Sequence, residues 1–370
     1  MATTDFGAIS TMQKKVWQAR SWKATRDESF FFATGMVSSG NSDSRLPVQY
    51  VNELTKTSRG DQAVYHLIPD VGGDGVVDDA ILEGNEQSMT VSAKTIKISQ
   101  LRQAIRNKGR MSEQKTVIRF RETARDQLGN WYSQKIDEIA FLTVSGVAYT
   151  KYLNGATRPL TSQLNSLAFA SDVTAPSTNR IMASGTATSS ATITAADMMD
   201  WDTIVKACAT AERKRIKPVR YNGKSKYVIV MSTECGRDLK SSNDYMTNVG
   251  RAADRGGANP LFKGMFAEVD NAILFSHPKV YNTLGAASGS RFGSGSTVHG
   301  AQNLLLGAQA LAFAKIEDMN WEEELKDYKN SDGIAVGGQF GFQKPVFTSI
   351  YDSDASEDFG VISIYSAASA

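Results

Sequence analysis

Histidine and cysteine are scarce in this 370-residue chain, with three of the first and two of the second. His66, His277 and His299 stand far apart and outside ligand spacings, which weighs against a metal centre or a histidine-based hydrolase. Cys208 and Cys235 supply no disulfide framework and suit a reducing cytoplasm. Long apolar runs are missing as well. The opening MATTDFGAISTMQKKVWQ has no signal-peptide core, and no window approaches the ~20 apolar residues of a membrane span. A net charge of +2 gives no global attraction to nucleic acid or membrane. What remains is an ordinary globular composition, 41% hydrophobic and 22% charged, in a chain long enough for two domains. The expectation is a soluble protein made in cytosol.

One more absence is local: no Lys or Arg occurs between Arg59 and Lys94. Within that gap, DVGGDGVVDDAILEGNEQ places six carboxylates (Asp70, Asp74, Asp78, Asp79, Glu83, Glu86) among four glycines. A calcium loop needs oxygen ligands at positions one, three, five and twelve. Here position three is Gly72 and position twelve is Ile81, so no EF-hand is expected. General acid catalysis needs a desolvated carboxyl, and a glycine-flanked polar tip offers the opposite. The apolar, alternating segments on either side (QAVYHLIPDV, 62–71, and SMTVSAKTIKIS, 88–99) read as strands. The stretch is therefore read as the tip of a long hairpin. Such a hairpin is marginal alone and needs a surface to lie against.

Residues 112–146 carry the strongest helical pattern, with apolar positions from Val117 to Leu142 at steps of three or four. Ser112 is assigned as N-cap, Glu113 falls in the first turn, and Gly146 ends the helix. Such a helix is a spine about 50 Å long. Residues 1–60 read as an arm, packed either on its own chain or on a neighbour. Residues 150–200 read as Ser/Thr-rich loops, 197–215 as a helix, and 226–232 and 271–277 as core strands. HGAQNLLLGAQALAFAKI, 299–316, reads as a buried helix passing into a strand, and the tail as further strands. The class is α+β, without a βαβ repeat.

Other candidate sites lose a required feature. GSRFGSGSTVHG, 289–300, lacks the P-loop lysine and reads as a flexible surface loop. RKRIKPVRYNGKSK, 213–226, carries seven Lys or Arg but lacks interleaved aromatics, and reads as a solvated helix end and turn. Residues 101–126, read as a basic helix, hold Arg102, Arg106, Arg110 and Arg119. These four can complement the acidic tip between identical subunits. No catalytic residue, metal ligand or cofactor is assigned, and the chain is not read as an enzyme.

Several segments in order carry a resemblance: LEGNEQ (82–87), TIKISQLRQAIRNKGRMSEQ (95–114), RETARDQLGNWYSQKIDEI (121–139), APSTNR (175–180), ANPLFKG (258–264) and LLLGAQAL (304–311). VWQARSW (16–22) matches more weakly. Together they resemble the major capsid proteins of tailed bacteriophages, specifically the N4-type group with the Hong Kong 97-like capsid fold. The resemblance implies an N-terminal arm (1–60), an extended hairpin called the E-loop (61–100) and a peripheral domain (101–195) built on the spine helix. It further implies an axial domain (196–330) and C-terminal strands (331–370) returning to the peripheral domain. It also implies self-assembly as pentamers and hexamers into an icosahedral shell, built in the host bacterial cytoplasm around double-stranded DNA. Lys14, Lys15, Arg20 and Lys23 would line the interior and contact DNA non-specifically. Decoration, scaffold and portal proteins are the further partners expected; a membrane is not. An encapsulin-like compartment shares the fold, and a carboxylate-using hydrolase is the alternative from another class.

Overall fold

The computed structural model describes residues 28–40, 45–52, 60–68, 71–72, 74–86, 89, 91–115, 119–221, 224–244, 267–352 and 355–368. Five helices are named in chain order: α1 (Phe30–Ala33), α2 (Arg110–Gln114), α3 (Phe120–Ser145), α4 (Trp201–Arg213) and α5 (Thr233–Ser241). The first strands are β1 (Val48–Val51), β2 (Gln62–Leu67), β3 (Ser92–Lys97), β4 (Ser99–Arg106) and β5 (Ile181–Ala183). The middle of the chain adds β6 (Val219–Tyr221), β7 (Lys224–Met231), β8 (Ala267–Val269), β9 (Ala272–Ser276) and β10 (Gly300–Leu306). The last are β11 (Leu311–Lys326), β12 (Ser331–Gln343), β13 (Val346–Ser349), β14 (Ala355–Asp358) and β15 (Val361–Ala367).

Two sheets organise the molecule. One has the order β1-β11-β12-β4; the other runs β5-β15-β10-β7-β9-β8, with β6 paired to β7. Helix α3 shares a core with both. Ile136, Ile139, Phe141 and Leu142 are buried together with Phe340 and Phe342 of β12 and with Leu304 and Leu306 of β10. The other face of the larger sheet is covered by α4 and α5, where Ile204, Cys208 and Leu239 meet Ile229, Leu305 and Ile364.

This double coverage corrects the reading of 299–316. Both faces of β10 are buried, so its apolar residues do not alternate with exposed polar ones, and such a run carries no period by which strand and helix can be told apart. The segment is two strands, β10 and the start of β11. The 112–146 helix is corrected too. It begins at Phe120, is 26 residues long and spans about 39 Å. Ser112 lies inside the separate five-residue α2, whose N-cap is Gly109. Lys115 closes α2, and Arg119, the N-cap of α3, is extended (ψ 106°). The C-terminal end is as expected. Gly146 takes the left-handed conformation (φ 67°), and the amides of Gly146 and Val147 donate to Thr143 and Leu142. A Cβ at Gly146 would lie 2.2 Å from the Thr174 carbonyl.

Strand pairing distributes the later segments between the two sheets. β11 belongs to the smaller sheet with β12 and β4. β15 does not return to that sheet but pairs along its length with β10, and with β5 on its other side. The described part of the 1–60 segment is packed on its own chain. Phe30 and Phe31 are buried, and β1 runs parallel to β11. Asp137 of α3 holds this segment: it accepts from Ser29 Oγ at 2.5 Å and Phe30 N at 3.0 Å, and pairs with Lys279 Nζ at 3.0 Å.

Two predictions follow from this junction. Asp137→Ala leaves Lys279 without its carboxylate and two donors without an acceptor, and is expected to cost the subunit about 3 kcal/mol in chemical denaturation. Nearby, His277 stacks on Phe141 (5.3 Å) and lies 4.5 Å from Phe30, with Nδ1 accepting the Lys279 amide. Burial, aided by Lys279 and opposed by Asp137, pushes its imidazole down to about 4. A depressed folded value means stability present above the unfolded value near 6.5 and lost as pH falls toward about 4. The slope reaches at most ~1.4 kcal/mol per pH unit. His277→Phe should flatten that part of the stability–pH curve relative to the unsubstituted chain.

Candidate assembly surfaces

The hairpin forms with the register Gln62↔Lys97 to Leu67↔Ser92. Alternation sends Ala63 and Ile96 inward, where they pack with Val51, Ile98, Ala312 and Ala314 in a small separate core. Gly341 permits the approach, since a Cβ there would meet the Lys97 carbonyl at 2.2 Å. Lys97 Nζ reaches Asp172 at 2.7 Å, tying the hairpin base to the loops after α3. Among the described residues of the two strands, the buried side chains Ala63, Leu67 and Ile96 hold the base of the hairpin to the body.

Beyond β2 and β3 the segment carries local turns, with Ala80 N donating to Val77 O and Asn85 N to Leu82 O. Asp74, Asp78, Asp79, Glu83 and Glu86 are all exposed. Apolar side chains are exposed beside them: Val71 at 69%, Val77 at 70%, Ile81 at 72%, Leu82 at 60% and Met89 at 64%. The sequence reading of this stretch weighed its charge and passed over these residues, although GVVDDAIL shows them. Asp70 lies outside the described residues, as do Lys14, Lys15, Arg20 and Lys23.

The four arginines are brought to one end of the smaller sheet, on a scaffold other than the one expected. Residues 99–106 form a strand, not a helix. The alternation of charged and small residues in SQLRQAIR suits an edge strand with one weakly apolar side. β4 is that edge; it pairs with β12 alone, and Arg102 and Arg106 share one exposed face. Arg110 opens α2, and Arg119 stands exposed at the N-cap of α3, 3.3 Å from Glu122. Among the described residues no ion pair joins these arginines to the tip carboxylates.

Other charges are internal. Arg180 and Lys344 are buried, as are the carboxylates of Asp352, Glu357 and Asp358. Arg180 lies 3.2 Å from Asp352, which Lys214 also meets, and Lys344 lies 2.9 Å from Asp358. Burial pushes Asp358 up and Lys344 down, against their mutual attraction. Ser177 and Asn179 complete the grip, bonding Asp358 and Glu357. So APSTNR is a clasp on the β13–β14 hairpin. Lys214 and Lys226, in the basic run 213–226, are held in ion pairs with Asp352 and Glu268. The 289–300 loop is not loose either: Phe292 is buried against Tyr365 and Ile193. No group of three His, Cys, Asp or Glu side chains converges on a metal position among the described residues. None of their helices is long and apolar enough to cross a membrane.

Comparison with known proteins gives this architecture a family. The major capsid protein of Pseudomonas phage KPP25 is 38% identical over 378 aligned residues, covering 99% of this chain and 98% of that protein. The capsid of Ralstonia phage GP4 matches with a TM-score of 0.75 and 27% identity, over 93% of this chain and 92% of that one. The cyanophage Pam1 capsid asymmetric unit shares the fold, with a TM-score of 0.70 at 16% identity over 100% and 96% of the two chains. The architecture is thus the Hong Kong 97-like capsid fold. A family model described as phage capsid protein matches residues 5–370, and the chain belongs to that family.

Proposed function

We propose that this phage capsid protein joins its neighbours through the tip of the β2–β3 hairpin. In this reading the tip lies on the next subunit, where Arg102, Arg106, Arg110 and Arg119 meet Asp74, Asp78, Asp79, Glu83 and Glu86. Asp70 is assigned to the same contact. One observation carries the reading: large apolar side chains and carboxylates are exposed together on the segment beyond the packed base of the hairpin. Burying each of the larger apolar side chains contributes roughly 1.5–3 kcal/mol, while the charges set partner and register. Contacts of this kind, repeated around pentamers and hexamers, close a shell from many modest interfaces. The shell encloses double-stranded DNA, with Lys14, Lys15, Arg20 and Lys23 assigned to non-specific phosphate contact. Decoration, scaffold and portal proteins complete the proposed partners. Assembly in the host cytoplasm is in keeping with two free, buried cysteines.

Two experiments test the contact. Deleting residues 72–86 removes exposed surface and little core, so the subunit should keep its far-UV spectrum and melting temperature yet fail to assemble in sedimentation. Loss of folding would make the tip part of a core and sink the reading. Charge reversal is the sharper test. Asp78→Lys with Asp79→Lys should lower the assembled fraction about tenfold at low salt, as should Arg102→Glu with Arg106→Glu. Combining all four should restore part of the loss; assembly indifferent to every one of these changes would remove the electrostatic match.

A further inference from the structure

A second surface lies at the same end of the smaller sheet as Arg106 and Arg110. Strands β11 and β12 run together to a four-residue turn, Asp327 to Asn330, closed by Asn330 N donating to Asp327 O at 2.9 Å. Asp327, Tyr328 and Lys329 all take left-handed conformations, with φ of 52°, 48° and 68°. For residues with a Cβ this is a strained arrangement, and three in succession are rare. Its effect is to hold the Tyr328 ring clear of the protein, at 104% relative exposure. Tyr328 serves no purpose in the subunit's own core.

Beside this turn is a pocket of about 260 Å³ lined by Arg110, Glu113, Arg121, Glu323, Leu325 and Ile334. Lys329, next to Tyr328, is also on its wall. Cavities of about 150 Å³ accept a benzene ring, so a phenol ring fits. The chemistry of the lining suits one: Leu325 and Ile334 are apolar, guanidinium groups attract aromatic faces, and the carboxylates accept a phenolic proton. Arg121 is held in place by Glu323, with Nε donating to Oε1 at 3.0 Å. A projecting aromatic and a ring-sized pocket thus occur side by side on one chain, but the knob points away from its own hole.

We propose that Tyr328 of one copy of this chain inserts into the Arg110–Arg121–Leu325 pocket of a second copy, so that neighbouring β11–β12 turns interlock. Passed from copy to copy around a rotation axis, this insertion closes a ring. The inference rests on shell assembly, not on the hairpin-tip contact. The tip can fail its tests while this interlock stands.

The test is disulfide trapping in shells assembled from the full chain. Cys208 and Cys235 are buried, and burial pushes the Cys208 thiol up to about 12, so neither competes. Shells carrying Tyr328→Cys with Glu113→Cys should, on mild oxidation, yield linked dimers and larger species on a non-reducing gel. Each single substitution should yield none. Linkage by Tyr328→Cys alone would place two turns face to face and overturn the insertion; so would an absence of linkage in the double variant's assembled shells. In parallel, Tyr328→Ala should raise the subunit concentration needed for assembly about tenfold, as loss of a buried aromatic anchor does, with the subunit's far-UV spectrum unchanged. Tyr328→Phe should stay near the unsubstituted protein, and Tyr328→Ala shells that assemble equally well would also overturn it.

Discussion

Helix α3 is enclosed over its last turns, where every residue from Ile139 to Ser145 is buried, and both sheets take their places against it. A helix surrounded in this way must find partners for its polar groups inside the protein. The amide of Gln302 on β10 donates to the Ser145 carbonyl at 2.7 Å, fastening the larger sheet to the helix end. Asp137 satisfies the first backbone donor of α1 and pairs with Lys279. The smaller sheet is set by apolar packing, chiefly Tyr132 and Ile136 against Phe340 and Val336. Once α3 is placed, the arm's root, both sheets and the base of the hairpin have one arrangement.

Charge does two opposite jobs in this molecule, and burial separates them. The cluster around Arg180, Lys344, Asp352 and Asp358 is sunk between the 175–181 segment and the β13–β14 hairpin. Burying ions is costly, and pairs of this kind contribute more to fixing one arrangement than to net stability. The carboxylates of the hairpin tip and the arginines of β4, α2 and the start of α3 keep their water in the isolated subunit. In the proposed contact, groups of a neighbouring subunit replace that water. A shell protein needs both: a body with one shape, and projecting surfaces whose interactions are incomplete until neighbours arrive.

Much of the fold was legible in the sequence where one face of an element is wet. The alternation in 62–67 and 92–97 gave the hairpin, and the stripe Ile204–Cys208–Ala211 gave α4; its cap, Asp200, came from the structure. Legibility failed where that contrast is missing. Leu304 to Leu306 of β10 are buried on both faces and so have no readable period. Residues 101–106 are largely exposed, so their arginines matched a helical face as easily as a strand. The candidate site was half legible. The tip's charge and position were visible, but the exposure of its valines and Ile81 was not, because no local pattern shows which core they are missing from.

The sequence by itself determined the local elements, the αL stop at Gly146, the acid-rich tip and the family, because these depend on spacing, composition and order along the chain. Only the tertiary structure decided which sheet β11 and β15 join, which charges are buried in pairs, and which apolar side chains face solvent. Those outcomes depend on contacts between residues more than a hundred positions apart, such as Ser29 with Asp137 and Arg180 with Asp352. No local pattern encodes them. They are settled when the enclosed helix admits a single way of packing two sheets around it.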